Sequence, residues 1–178
     1  MNIIVIIGHT GAGKSTLCKK LASRYKAKLV SFADEGKTFS IENGYSRIRD
    51  CYSGLGEESF VSLFSEFFSN NIEKAINKSN FVIIDGLYEQ NIALKLKNSY
   101  GAKFILIDVP MNVCFSRIAS RNNLTFSEVE SEYAIKESVK DSLGNTYVLN
   151  MADLTVDGRM TIEEVYSYIT NRIDEYLF

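Results

Sequence analysis

The sequence predicts an α/β fold of three layers, with a parallel sheet covered by helices on both faces. Three observations predict it. Short continuous apolar runs at 2–7 (NIIVII), 81–85 (FVIID) and 103–108 (KFILID) read as strands buried on both sides. The segments between these runs carry apolar residues at helical spacing. Strand and helix alternate along the chain, which calls for parallel pairing and helical crossovers.

The elements follow in order. Gly8 bounds the first run, and a glycine-rich turn opens a helix over 14–24 with Leu17, Leu21 and Ala22 inward. Residues 27–32 (AKLVSF) give a second short strand ending at Ala33-Asp34. Residues 35–56 are polar and interrupted by glycine, and no element is assigned there. A long helix over 57–78 sets Phe60, Phe64, Phe67 or Phe68, Ile72 and Ile76 at helical spacing. After the third strand, a helix over 88–100 leads to the fourth. Pro110 sits just past that strand, where its missing N–H disturbs no ladder. Helices are expected over 111–121 and 127–142, joined by a polar stretch at 122–127. The fifth strand is 153–157 (DLTVD), turning at Gly158, and a last helix spans 161–176. No repeat, linker or low-complexity tract divides the chain, and 178 residues suit one domain, 1–178.

Composition narrows the function classes. The net charge of −2 and a pI near 5.5 argue against a nucleic-acid grip through a broad basic surface. Cys18, Cys51 and Cys114 lie far apart, and His9 is the sole histidine, which argues against a zinc site or a disulfide framework. Three reduced thiols suit a cytoplasmic protein. The apolar start has no basic flank and is too short for a signal peptide or a membrane span.

Gly8-His9-Thr10-Gly11-Ala12-Gly13-Lys14-Ser15 matches GxxxxGK[ST], with Thr16 following, between a buried strand and a helix. Glycine allows a backbone path on which consecutive N–H groups point into one concavity, and the helix N-terminus adds positive potential. Lys14 supplies charge for the β- and γ-phosphates of a bound triphosphate, and Ser15 a hydroxyl for Mg²⁺. His9 reads as a variable loop residue facing solvent or ligand. This is the P-loop of nucleotide-binding proteins, with ATP the expected triphosphate.

Asp85 ends an apolar strand beside this loop, where a carboxylate can hold Mg²⁺ directly or through water; the alternative is a turn-forming Asp-Gly. Asp34 at a strand end either orients an acceptor hydroxyl or serves the turn. Arg117 and Arg121, four apart on one helix face, suit charge neutralisation on a transferring phosphoryl or stacking on the base. Arg47 and Arg49, alternate residues, lie where an acceptor anion would be clamped. Asp34, Arg47, Arg49 and Asp85 form the candidate acceptor side.

GHTGAGKST, SFADE, FVIIDGLYE, the Arg117–Arg121 helix and ADLTVDGRMTIEEV come in an order that resembles the nucleoside monophosphate kinase superfamily, especially its dephospho-CoA kinase-like and deoxynucleotide kinase-like members. The resemblance implies a P-loop NTPase fold with strand order 2-3-1-4-5, an acceptor-binding insertion over 34–79 and a lid over 121–143. It also implies γ-phosphoryl transfer from ATP–Mg²⁺ to a nucleoside monophosphate, dephospho-CoA or similar nucleotide-like acceptor, in a monomer or homodimer. ADLTVDGRMTIEEV would lie near the adenine. One departure stands out: residues 122–158 hold no arginine, and only Lys136 and Lys140 are cationic there. The rival readings are a polynucleotide 5′-hydroxyl kinase and a nucleotide-dependent ATPase or switch.

Overall fold

The computed structural model describes residues 1–177; residue 178 of the expected domain lies outside the described residues. One parallel sheet holds β1 (Asn2–Ile7), β2 (Lys28–Ser31), β3 (Phe81–Asp85), β4 (Lys103–Asp108) and β5 (Leu154–Asp157) in the order β2-β3-β1-β4-β5. The fold class and strand order are those expected. Central β1 shows why its sequence does not alternate between apolar and polar. Ile3, Val5 and Ile7 enter a core with Phe64 and Phe68 on one face, while Ile4 and Ile6 enter another with Leu17, Leu21 and Ile169. Both faces are dry, so every position is apolar.

Helix α1 (Lys14–Tyr25) follows β1, and α9 (Ile162–Arg172), continued by a wider turn over Ile173–Leu177, lies on the same face. On the other face lie α2 (Phe32–Glu42), α3 (Ile48–Leu55) and α4 (Glu57–Lys78), all between β2 and β3. The long helix α4 is as expected and buries Phe60, Phe64, Phe68, Ile72 and Ile76. Helix α5 (Gln90–Tyr100) starts two residues later than expected, because the Glu89 carboxylate caps it by accepting from Ile92 N at 2.5 Å. Helices α6 (Met111–Asn122) and α7 (Phe126–Ser142) lie between β4 and β5, followed by a short α8 (Asn145–Leu149) that was not expected.

Two expectations are corrected between β2 and α4. The second strand stops at Ser31, whose side chain accepts from Asp34 N at 3.3 Å and starts a helix at Phe32. Asp34 therefore lies in the first turn of α2, not at a strand end. Residues 35–56 are largely helical. Helix α2 hides its buried stripe by building it partly from small residues, Gly36 and Ser40. A β-carbon on Gly36 would lie 2.5 Å from Ile48 Cδ1, so the glycine lets α3 close on α2.

Candidate active site

The phosphate loop runs from the carboxyl end of β1 into α1. Gly8 has φ 139°, and a β-carbon there would lie 2.5 Å from the Ile107 carbonyl oxygen of β4. No residue but glycine fits that path. Within the loop, Lys14 folds back and donates from Nζ to the Gly8 and His9 carbonyls, at 2.8 Å each. Its side chain is buried, and burial lowers its pKa below the usual 10.5, against the pull of the Asp85 carboxylate. Ser15 and Thr16 stand exposed on the first turn of α1.

Asp85 is the last residue of β3, in register with Ile6 of β1 and Ser31 of β2, and is buried. Asp85, Lys14 and Ser15 line one cavity of about 860 Å³. One carboxylate and one hydroxyl suit a Mg²⁺ that takes its other oxygens from phosphates and water. No cluster of three or more metal-ligating side chains occurs among the described residues, so a protein-only cage is not what this donor set offers.

The same cavity is lined by Arg47 and Arg49, from the start of α3, and by Arg117 and Arg121 of α6. Arg47 and Arg49 both pair with Asp50, at 2.9 and 3.5 Å. Arg117 Nη2 donates to the Gly158 carbonyl at 2.8 Å, while the exposed Arg121 donates to Asn122 Oδ1 at 3.4 Å. Lys37, Lys136 and Lys140 also line it. Against these cations and Lys14, the acidic lining is Asp85 and Glu132 alone among the described residues. A chain of net charge −2 thus builds a cationic cavity. Asp34 is exposed and does not line it; Ala33 and Lys37, its neighbours on α2, do. A second cavity of about 420 Å³ lies between Gly13 and Thr16 of the loop and Gly158–Ile162, and Arg117 lines both.

Helix α7 was expected, but its contacts with the phosphate loop are what sequence reasoning missed. Lys140 is buried and donates to Thr10 Oγ1 and Glu137 Oε1, both at 2.5 Å, with its ammonium 4.6 Å from the centre of the Tyr88 ring. The imidazole of His9 faces α7, its Nδ1 being 3.1 Å from Tyr133 Oη and 3.6 Å from Glu137 Oε2. Burial works against the Glu137 charge, but His9 and the Lys140 ammonium outweigh it and hold its pKa down to about 2. The available signal was positional: Val129, Tyr133 and Lys140 share one buried stripe of α7, and a lysine on such a stripe needs partners.

A glycine-rich loop with its lysine, a hydroxyl and a carboxylate, at the carboxyl edge of a 2-3-1-4-5 sheet, defines a P-loop small-molecule kinase. Residues 10–174 match the model of the shikimate kinase family. The chain belongs to that family, whose members are phosphotransferases. Adenylate kinase 2 of Plasmodium falciparum is 28% identical over 149 residues, covering 71% of this chain and 53% of its own length. The chain thus spans about half of that relative. Cytidylate kinase of Desulfurococcus amylolyticus is 24% identical over 185 residues, covering 98% of this chain and 94% of that protein. The structure of shikimate kinase from Acinetobacter baumannii in complex with shikimate superimposes with a TM-score of 0.70 at 16% identity, over 99% of this chain and 96% of that one. That likeness supports the fold alone. No helix among the described residues is long and apolar enough to cross a membrane.

Proposed function

We propose that this protein transfers the γ-phosphoryl group of ATP to a nucleoside monophosphate. The observation that carries this reading is the makeup of the larger cavity: Lys37, Arg47 and Arg49 line its α2–α3 end, where Asp50, the partner of both arginines, is not among the lining residues. Lys37, Arg47 and Arg49 suit a dianionic phosphate better than the single carboxylate of a shikimate-like acceptor. Phe32, Ile48, Tyr88 and Val139 supply apolar walls for a flat base. A phosphate acceptor attacks as the anion and needs no base to remove a proton. A hydroxyl acceptor, such as shikimate or the ribose of dephospho-CoA, needs one. Asp34, the residue expected to serve such a hydroxyl, is exposed and off the cavity lining.

The other roles follow. Loop amides and Lys14 hold the triphosphate, Lys14 exchanging its carbonyl partners for phosphate oxygens. Ser15 and Asp85 would hold the Mg²⁺, which would supply positive charge to the triphosphate. The smaller cavity beside Gly158–Ile162 takes the base of ATP, and Arg117 spans from base to phosphates. Arg121 meets charge on the transferring group. Residues 34–79 serve as the acceptor-binding insertion, and 121–143 as the lid.

The test is an acceptor panel of ribo- and deoxynucleoside monophosphates, dephospho-CoA, shikimate and a 5′-hydroxyl oligonucleotide, with products read by mass spectrometry. One monophosphate should raise ADP release at least about tenfold, a barrier lowered by about 1.4 kcal/mol, and yield its diphosphate. Phosphorylation of shikimate, dephospho-CoA or the oligonucleotide instead would overturn the acceptor assignment. Hydrolysis indifferent to every acceptor would favour an ATPase or switch.

A further inference from the structure

We propose that Lys140 is a catalytic residue that contacts the terminal phosphate of the bound triphosphate from the α7 side, and that Glu137 is the positioning residue holding it there. The inference rests on the ATP-binding half of the proposed function, not on the acceptor.

Three observations carry it. First, Lys140 is a buried lysine on a helix whose remaining cavity-lining cation, Lys136, is exposed and paired with Glu132 at 3.7 Å. Lysine is almost never fully buried unless partnered. Second, its ammonium lies on the hydroxyl of Thr10, inside the loop whose amides point at the phosphates, and the side chain lines the cavity of Lys14 and Ser15. A phosphate seated in that loop comes within reach of the same ammonium. Third, residues 122–158 contain no arginine, so Lys136 and Lys140 are the cations this stretch can bring to the transferring group.

The surroundings fix the ammonium rather than merely neutralise it. Glu137 Oε1 accepts from Lys140, while Glu137 Oε2 faces His9 and Thr10 Oγ1 lies 3.3 Å from Oε1. Tyr133 Oη meets the same His9 Nδ1, and the Tyr88 ring face lies under the cation. Lys140 therefore has acceptors on the protein side and can exchange the neutral Thr10 hydroxyl for an anionic phosphate oxygen. A charge-assisted hydrogen bond is the stronger of the two.

Calorimetric titration of ADP–Mg²⁺ and of a nonhydrolysable ATP analogue with Mg²⁺ tests this without any acceptor. Lys140→Met should weaken the triphosphate analogue at least about tenfold, about 1.4 kcal/mol, and leave ADP within about twofold. Lys140→Arg should restore most of the difference. Glu137→Gln should lower the triphosphate-to-ADP preference in the same direction but less. Equal weakening of both nucleotides, or no change in either, would overturn the inference and leave Lys140 as a structural tie between α7 and the loop. If Lys140→Met does not fold, Lys140→Gln gives the same comparison with a polar side chain. Failure of the unaltered protein to bind either nucleotide would overturn the ATP reading itself, a result distinct from loss of the triphosphate preference alone.

Discussion

Glu137 ties α7 to the phosphate loop, and the strength of that tie is measurable through acid stability. Its pKa is held from 4.5 down to about 2, with a side chain 15% exposed. The folded-state value lies below the unfolded one, so the stabilisation is complete above about pH 4.5 and is lost as pH falls towards 2. At about 1.4 kcal/mol per pH unit the full effect is about 3 kcal/mol at pH 7, and the same linkage leaves about 1.4 kcal/mol at pH 3. Glu137→Gln removes the titrating group. It also leaves the buried Lys140 without its carboxylate partner, a cost common to both pH values. Urea unfolding of both proteins at pH 7 and pH 3 should therefore show a destabilisation that shrinks by about 2 kcal/mol at the lower pH. Protonation of carboxylates that do not touch Glu137, His9 or Lys140 cancels in that double difference. An equal loss at both pH values would refute the reasoning, and would place Glu137 in solvent with α7 held by apolar contacts alone.

Two further outcomes follow from the site and its support. Asp85→Asn should lose Mg²⁺-dependent nucleotide binding and transfer together, whereas Asp34→Asn should leave transfer within about threefold; a fall of about a hundredfold or more with Asp34→Asn, the scale of a lost general base, would point to a hydroxyl acceptor. Phe64→Ala should cost about 3–5 kcal/mol in urea unfolding, since Phe64 is buried against Phe32, Phe39, Phe60 and Phe68, and should raise the acceptor KM more than the ATP KM because Phe32 lines the acceptor end.

What could be read from the chain and what could not divides along a physical line. The phosphate loop, β1, β3 and β4 are written in local chemistry: glycines at positions needing unusual φ, and apolar runs buried on both faces. Helix α2 was missed although its start was present in the sequence. Ser31-Phe32-Ala33-Asp34 is a helix-capping pattern, with Ser31 accepting from Asp34 N, but the apolar Val30 and Phe32 drew the strand past its end. Arg47, Arg49, Arg117 and Arg121, singled out by their spacing, line one cavity. The α7 contacts could not be found that way. Thr10 and Lys140 are 130 residues apart, and only the tertiary fold brings a lysine on a buried stripe onto a loop at the other end of the chain.

The two buried lysines of the cavity also explain how a cationic site coexists with a stable fold. Lys14 is held by two loop carbonyls, and Lys140 by a hydroxyl, a carboxylate and a ring face. Neither ammonium is a bare buried charge, the arrangement that would cost most. A bound phosphate meets cations that already have protein partners. It displaces a carbonyl or a hydroxyl, and the gain is the difference between a charge-assisted and a neutral hydrogen bond, on the order of 1 kcal/mol for each exchange. The Asp85 carboxylate opposes the burial that lowers Lys14, and Glu137 pairs with Lys140, so each cation keeps an anion nearby. Preorganisation of this kind places positive charge on two sides of the loop before the nucleotide arrives. On the proposed reading, the phosphates would seat at a position framed by β1, β3 and α7 once Lys14 and Lys140 have exchanged their present partners, and the cations would then already be in place for transfer.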